Sequence, residues 1–263
     1  MKRKRKIIIF KISLVIIFIG CLIAALSWFF KLKAFAIENI NVSGAVSVDA
    51  VDIHSIAQKY IAGDYLFLFP RSNRLIYPKG VIESGIKRAF PVIQDVIISA
   101  SGNVLSISVT ERTSAYLWCL KLQCYFMDST GFVYAPAPNF SGNAFLVLSG
   151  NITGDPIGSY YLDQDRFSSL KGLVSEMALS GIKINSIDMT DPAQSKIVLT
   201  KGGSILFKAD QDIGALTDSI MLVKDNTKVF DGKASSTLDY LDMRFGNKVF
   251  YKKIGDNPVQ VDK

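Results

Sequence analysis

The chain has 263 residues and a formal net charge of +7, yet residues 1–33 hold 8 of its 30 Lys and Arg and none of its 23 Asp and Glu. The remainder therefore carries 22 minus 23, or −1. The basic balance belongs to the N-terminal flank, which excludes a nucleic-acid-binding surface and leaves enough chain for one large or two small domains with their own cores.

Residues 12–30, ISLVIIFIGCLIAALSWFF, carry no charge. As a helix rising ~1.5 Å per residue they match the hydrocarbon thickness of a bilayer, and only a helix satisfies its own backbone in a single span. Lys2, Arg3, Lys4, Arg5, Lys6 and Lys11 precede the span, and Lys31 and Lys33 follow it. This asymmetry predicts a type II single-pass anchor in the cytoplasmic membrane, with residues 1–11 as a cytoplasmic basic tail and the bulk of the chain outside the cytoplasm. Ala34-Phe35-Ala36 has the small-x-small form of a signal cleavage site. The apolar run exceeds the usual ~7–15 residues of a signal peptide, so the reading is an uncleaved anchor.

Beyond the anchor, Ile37–Val42 reads as a strand ended by Ser43-Gly44. A helix capped at Ser47, with Asp49 in its first turn, carries Ile53, Ile56, Ala57 and Tyr60 on one face and ends at Gly63-Asp64. Residues 65–70, YLFLFP, read as an apolar loop. A second helix runs from about Pro78 to Phe90 with the stripe Ile82, Ile86 and Phe90, and Pro91 stops it. Two strands follow, about 93–100 and 104–111, around Ser101-Gly102-Asn103. The second alternates Leu105, Ile107 and Val109 with Ser106, Ser108 and Thr110. The order is β-α-α-β-β.

The next stretch is strand-rich. Residues 115–119 and 124–127 form a predicted hairpin around Leu120–Gln123, which places Cys119 and Cys124 across from each other as a disulfide or as two free thiols. Strands at 132–134 and 145–148 flank a loop Ala135-Pro136-Ala137-Pro138. Residues 163–178 predict an amphipathic helix with Phe167, Leu170, Val174 and Met177 inward. Strands at 182–189, 197–200 and 204–209 follow, then a helix capped by Asp210 or Asp212 with Ile213, Leu216, Ile220 and Val223 inward. Two final strands, Thr237–Phe245 and Lys248–Ile254, are joined by a Gly246-Asn247 turn, and a polar tail is expected from Asp256.

Chemistry has little to work with. The single histidine, His54, falls opposite the apolar face of its helix, and two cysteines with one distant histidine do not complete a zinc shell. Asp163/Asp165 and Asp210/Asp212 precede helices and read as caps rather than paired catalytic carboxylates. No nucleophile motif or phosphate loop is present, so the reading is a non-enzyme without cofactor. A membrane-anchored extracytoplasmic enzyme or sensor with an unrecognised pocket is the alternative. The final strand, Lys248-Val249-Phe250-Tyr251-Lys252-Lys253, draws attention as a possible sheet edge. An open edge accepts an extended partner, and adjacent aromatics place one ring on each face.

Four features, in order behind one anchor, resemble the FtsQ/DivIB family of bacterial cell-division proteins over essentially the whole chain. They are Phe35-Ala36-Ile37 through Val42-Ser43-Gly44; Phe90-Pro91-Val92-Ile93-Gln94-Asp95-Val96; Val109-Thr110-Glu111-Arg112 with Ala115, Trp118, Met127-Asp128 and Gly131-Phe132-Val133; and Leu241-Asp242-Met243-Arg244-Phe245 before a last strand. Ser114, where the family has proline, and Phe207-Lys208-Ala209, in place of Leu-Gly-Arg, depart from the pattern. The resemblance implies an α+β chain: transmembrane helix, a small POTRA-like domain at 35–112, a mainly antiparallel β domain with about two helices at 113–254, and a flexible tail at 255–263. It further implies a divisome scaffold at the septum that binds FtsB/FtsL-like single-span proteins through a strand added to the last β strand. The expected partner-binding residues are Arg244, Phe245, Lys248, Val249, Phe250, Tyr251 and Lys252. Other divisome components are expected on the POTRA-like domain.

Overall fold

The structure, a computed structural model, describes residues 2–138, 144–227, 229–230, 238–246, 248–255 and 257–262, with the side chains of 2–9, 261 and 262 left aside. The expected turn residue Asn247, the strand start at Thr237 and the tail start at Asp256 lie outside the described residues. The chain divides into two units, Met1–Arg112 and Thr113–Lys263.

The first unit opens with α1 (Lys2–Phe30), longer at its N-terminal end than the apolar run. Within it, Phe10–Phe30 has a mean hydropathy of 2.6 and is 6% buried, apolar enough to cross a membrane. Strand β1 (Asn39–Ser43) and helix α2 (Ala50–Ile61) follow. Residues read as a loop form a small hairpin instead, β2 (Asp64–Tyr65) and β3 (Phe69–Pro70). Helix α3 (Lys79–Ala89) leads into β4 (Ile93–Ser101) and β5 (Val104–Glu111). The sheet order is β1-β5-β4, with β1 parallel and β4 antiparallel to β5. Leu105, Ile107 and Val109 are buried as their alternation requires, against Ile53, Ala57, Ile82 and Ile86 of the helices.

The cap of α2 differs from expectation. Asp49, not Ser47, accepts the Val51 N–H. Ser47 is taken by a residue far along the chain: the Glu111 carboxylate accepts from Ser47 Oγ at 2.6 Å and from the N–H groups of Val46 and Ser47 at 2.7 and 2.8 Å. Gly44 (φ +84°) makes this loop possible, because a Cβ there would lie 2.1 Å from the Val109 carbonyl oxygen. Arg112 donates to the Pro91 carbonyl. The Glu-Arg pair thus ties one end of the unit's sheet to the loops that follow β1 and precede β4.

Glu111 gives a pH prediction. Burial works to raise its pKa, but the hydrogen bonds from Ser47, Val46 and Val48 outweigh it and hold the carboxyl below its ordinary value. A carboxyl with a depressed folded pKa contributes stability that is complete above the unfolded pKa and is lost as pH falls through the folded one. Glu111→Gln should therefore cost about 1 kcal/mol at pH 7, the low end for charged hydrogen bonds because solvent screens the group. The deficit should vanish once acid has protonated Glu111 in the wild type. Denaturant unfolding of the full chain in micelles at neutral and acidic pH measures both.

The second unit is one ten-stranded sheet, mostly antiparallel as expected. In chain order its strands are β6 (Tyr116–Leu120), β7 (Gln123–Met127), β8 (Val133–Ala137), β9 (Leu146–Gly150), β10 (Ile184–Met189), β11 (Ser195–Leu199), β12 (Ser204–Phe207), β13 (Leu238–Phe245), β14 (Lys248–Lys253) and β15 (Val259–Asp262). They lie in the order β15-β14-β13-β12-β11-β10-β9-β6-β7-β8. Parallel neighbours need a crossover, and helices supply two of them. Helix α4 (Gln164–Leu179) links β9 to β10, and α5 (Ile213–Asn226) links β12 to β13. Asp163 and Asp212 cap these helices through the N–H groups of Arg166 and Ala215. The helices pack on each other and on the sheet over Trp118, Phe167, Leu170, Leu216, Ile220 and Leu241. Trp118 Nε1 donates to the Gly150 carbonyl at 2.9 Å. The β6–β7 hairpin pairs Cys119 with Cys124 in register and carries their disulfide.

Two further expectations are corrected in this unit. Ala135-Pro136-Ala137 is not a loop but part of β8, where a proline is tolerated because the strand is an edge. Residues 255–263 are not all flexible tail: Val259–Asp262 form β15, antiparallel to β14. The short alternation Val259, Gln260, Val261, Asp262 suits a strand, and pairing satisfies N–H and C=O groups that β14 would otherwise leave open.

Candidate functional site

The two ends of the large sheet are unlike. At one end, β8 carries Pro136, which removes a backbone donor, its first residue Val133 is bonded by Gly158 and Ser159, and Tyr160 bridges the preceding Phe132. That edge is closed to strand addition. At the other end lie β13, β14 and, outermost, the four-residue β15.

In β13–β14 the ladder pairs Leu241 with Tyr251, Asp242 with Phe250 and Phe245 with Lys248, and the register shifts between Asp242 and Phe245. Val249 is fully buried, and Tyr251 packs partly against the same core. Phe250 therefore points to the opposite face, where its ring meets Phe245 edge-on at 5.4 Å. Phe245 is 52% exposed. Lys248 and Lys252 share that outer face with Phe250 by alternation, and Lys252 reaches Asp239 at 3.1 Å across a half-exposed pair worth at most about 1 kcal/mol. The outer face is thus an aromatic pair flanked by lysines.

Arg244 is partly buried and tied down within its own strand. Its Nε and Nη2 bind the two oxygens of Asp242 at 2.9 and 2.6 Å, and Asp242 is 5% exposed. These bonds hold the guanidinium firmly protonated. Its remaining donors and its stacking on Phe245, 5.7 Å from the ring centroid, are what it offers outward.

The outward row of β14 is covered. β15 pairs Lys248 with Asp262, Val249 with Val261, Phe250 with Gln260 and Tyr251 with Val259, and the ladder stops before Lys252. The cover is thin: Val259 is 43% exposed. Its register starts with Asp262 opposite Lys248. Of the predicted contact residues, Phe245, Lys248, Phe250 and Lys252 come together on one face, Val249 and Tyr251 face the core, and Arg244 is committed to Asp242. Sequence reasoning missed Asp242 as the residue that fixes Arg244, although their i, i+2 spacing on a strand puts both on one side.

Other concave features are small or open. A recess of about 30 Å3 beside Ile182, Lys183 and Phe230 has room for about one water. His54 is not fully solvated but lines a shallow depression with Ile40, Val42, Ala50 and Val51. Among the described residues, no group of three or more His, Cys, Asp or Glu side chains is placed to hold a metal ion. No protein-family model matches the chain, and neither does any curated protein.

Proposed function

We propose that this chain is a single-span membrane scaffold that binds extended segments of other proteins by strand addition at the β14 edge. The observation that carries the reading is the asymmetry of the sheet: proline blunts the β8 edge, whereas the opposite end presents β14, basic and aromatic on its outer face, beneath only four residues of cover. The resemblance to FtsQ/DivIB proteins supplies the partners, FtsB/FtsL-like single-span division proteins. It also supplies the place, the septal cytoplasmic membrane with the N-terminus inside, and the role, coordination of septal wall synthesis without catalysis. The POTRA-like arrangement of the first unit is proposed to contact further divisome components.

The test is capture of membrane partners by the detergent-solubilised full chain. Phe250→Glu, on the outer face, should lower capture at least tenfold while leaving unfolding nearly unchanged apart from the lost ring pair, about 1 kcal/mol. Tyr251→Glu should unfold the sheet end instead, since that ring packs on the core, so it is unsuitable as a binding probe. Equal capture by wild type and Phe250→Glu would move the partner site elsewhere. The absence of single-span coiled-coil partners from both would overturn the division role.

A further inference from the structure

The β2–β3 hairpin is built against the logic of a solvated turn. Leu66 and Phe67 are 82% and 91% exposed, and both have positive φ (51° and 61°). The Leu68 N–H closes the turn on the Tyr65 carbonyl at 3.0 Å. Two successive left-handed residues are the preserve of Asn and Gly, and here the positions carry two of the chain's most exposed large apolar side chains. Strain combined with apolar exposure at a loop tip calls for a surface that takes it up.

Its position names that surface. Ser27, three residues before the end of α1, donates from Oγ to the Leu68 carbonyl at 2.7 Å. At ~1.5 Å per residue this bond lies roughly 4–5 Å inside the apolar span. Ser27 is the one buried residue among the described side chains of α1. Phe69 meets Phe30 edge-on at 5.5 Å, and Asn73 Nδ2 donates to the Phe30 carbonyl at 2.7 Å. The hairpin is therefore bonded to the last turn of α1, at the end of the apolar span. Cations lie close by: Lys31 and Lys33 follow the helix, Arg71 lies 5.2 Å from the Tyr65 ring centroid, and Arg74 lies 5.3 Å from that of Phe35. Arg71 Nε is buried with no hydrogen-bond partner. An exposed apolar tip with guanidinium groups on neighbouring residues is the chemistry that suits the acyl and phosphate layers of a leaflet.

We propose that Leu66 and Phe67 insert into the leaflet at the C-terminal end of α1, a second membrane contact that fixes the first unit's orientation on the bilayer. The proposal rests on α1 spanning the membrane. The full chain, with Cys21→Ser, is reconstituted in phosphatidylethanolamine/phosphatidylglycerol vesicles. Nitroxide labels are placed singly at Leu66→Cys, Phe67→Cys, the span site Leu22→Cys and the exposed helix site Gln58→Cys, and circular dichroism checks each fold. Collision with oxygen, which partitions into lipid, is compared with collision with a water-soluble nickel chelate. Labels at 66 and 67 should resemble that at 22, with chelate access at least fivefold below that at 58. If 66 and 67 resemble 58, or exclude both reagents as a protein contact would, the insertion is overturned. If the label at 22 is itself open to the chelate, the membrane span fails and the insertion with it.

Discussion

Replacing Arg244 with Ala should destabilise the second unit by about 2–4 kcal/mol, between the loss of a charge-assisted hydrogen bond and that of a fully buried ion pair. Asp242 is 5% exposed, and Arg244 supplies two of its bonds at 2.9 and 2.6 Å. Without the guanidinium, a nearly buried carboxylate stays behind on the face of β13 opposite Leu241 and Met243, with the residue-244 N–H still donating to it at 3.1 Å. Urea unfolding followed through Trp118, in the core of the same unit, reads the loss. Asp242→Asn added to Arg244→Ala should recover a good part of it, because the residual charge goes while its shape remains. Arg244→Lys should be intermediate, since an ammonium does not span both oxygens. The consequence for function is direct. Reduced partner capture by Arg244→Ala reports damage to the β13 backbone, not a lost contact, unless stability is unchanged. An Arg244→Ala chain of wild-type stability that no longer captures partners would return Arg244 to the contact surface.

The same residue shows where reading the sequence succeeded and where it stopped. Elements whose burial follows a local period were legible. Leu105, Ile107 and Val109 alternate inward on β5, and Phe167, Leu170 and Met177 lie inward on α4. Features set by partners distant in sequence were not. Ser47 looked like a helix cap, but it binds Glu111, 64 residues away, and Asp49 takes the cap. The β2–β3 turn carries Leu66 and Phe67 in place of Asn-Gly, so the usual turn signal was missing. At the candidate site, the basic-aromatic strand was visible, and its alternation allowed one ring per face. That Phe250 faces outward and Tyr251 inward depended on the register with β13. β15 escaped because four residues between polar neighbours give too short a period to stand out.

Removing residues 255–263 should strengthen partner binding about tenfold or more. A strand that adds to β14 competes with β15 for one row of N–H and C=O groups, so its apparent affinity is reduced by the fraction of chains in which that row is open. Each ~1.4 kcal/mol by which β15 favours the covered state is a factor of ten. The docking energy is limited: the ladder is four residues long, Val259 remains 43% exposed, and it ends before Lys252. Lys252 and Lys253 then form an uncovered start from which an incoming acidic strand can zip toward Lys248, displacing Val259 first and Asp262 last. Hydrogen exchange provides a partner-free check. In the truncated chain, the outward-facing amides within Lys248–Tyr251 should lose protection, while those bonded to β13 keep it. Capture of membrane partners at one-tenth of the bait concentration supplies the functional half. Lost protection together with weaker capture would show that the partner adds outside β15, making the terminal strand part of the binding surface instead of its cover.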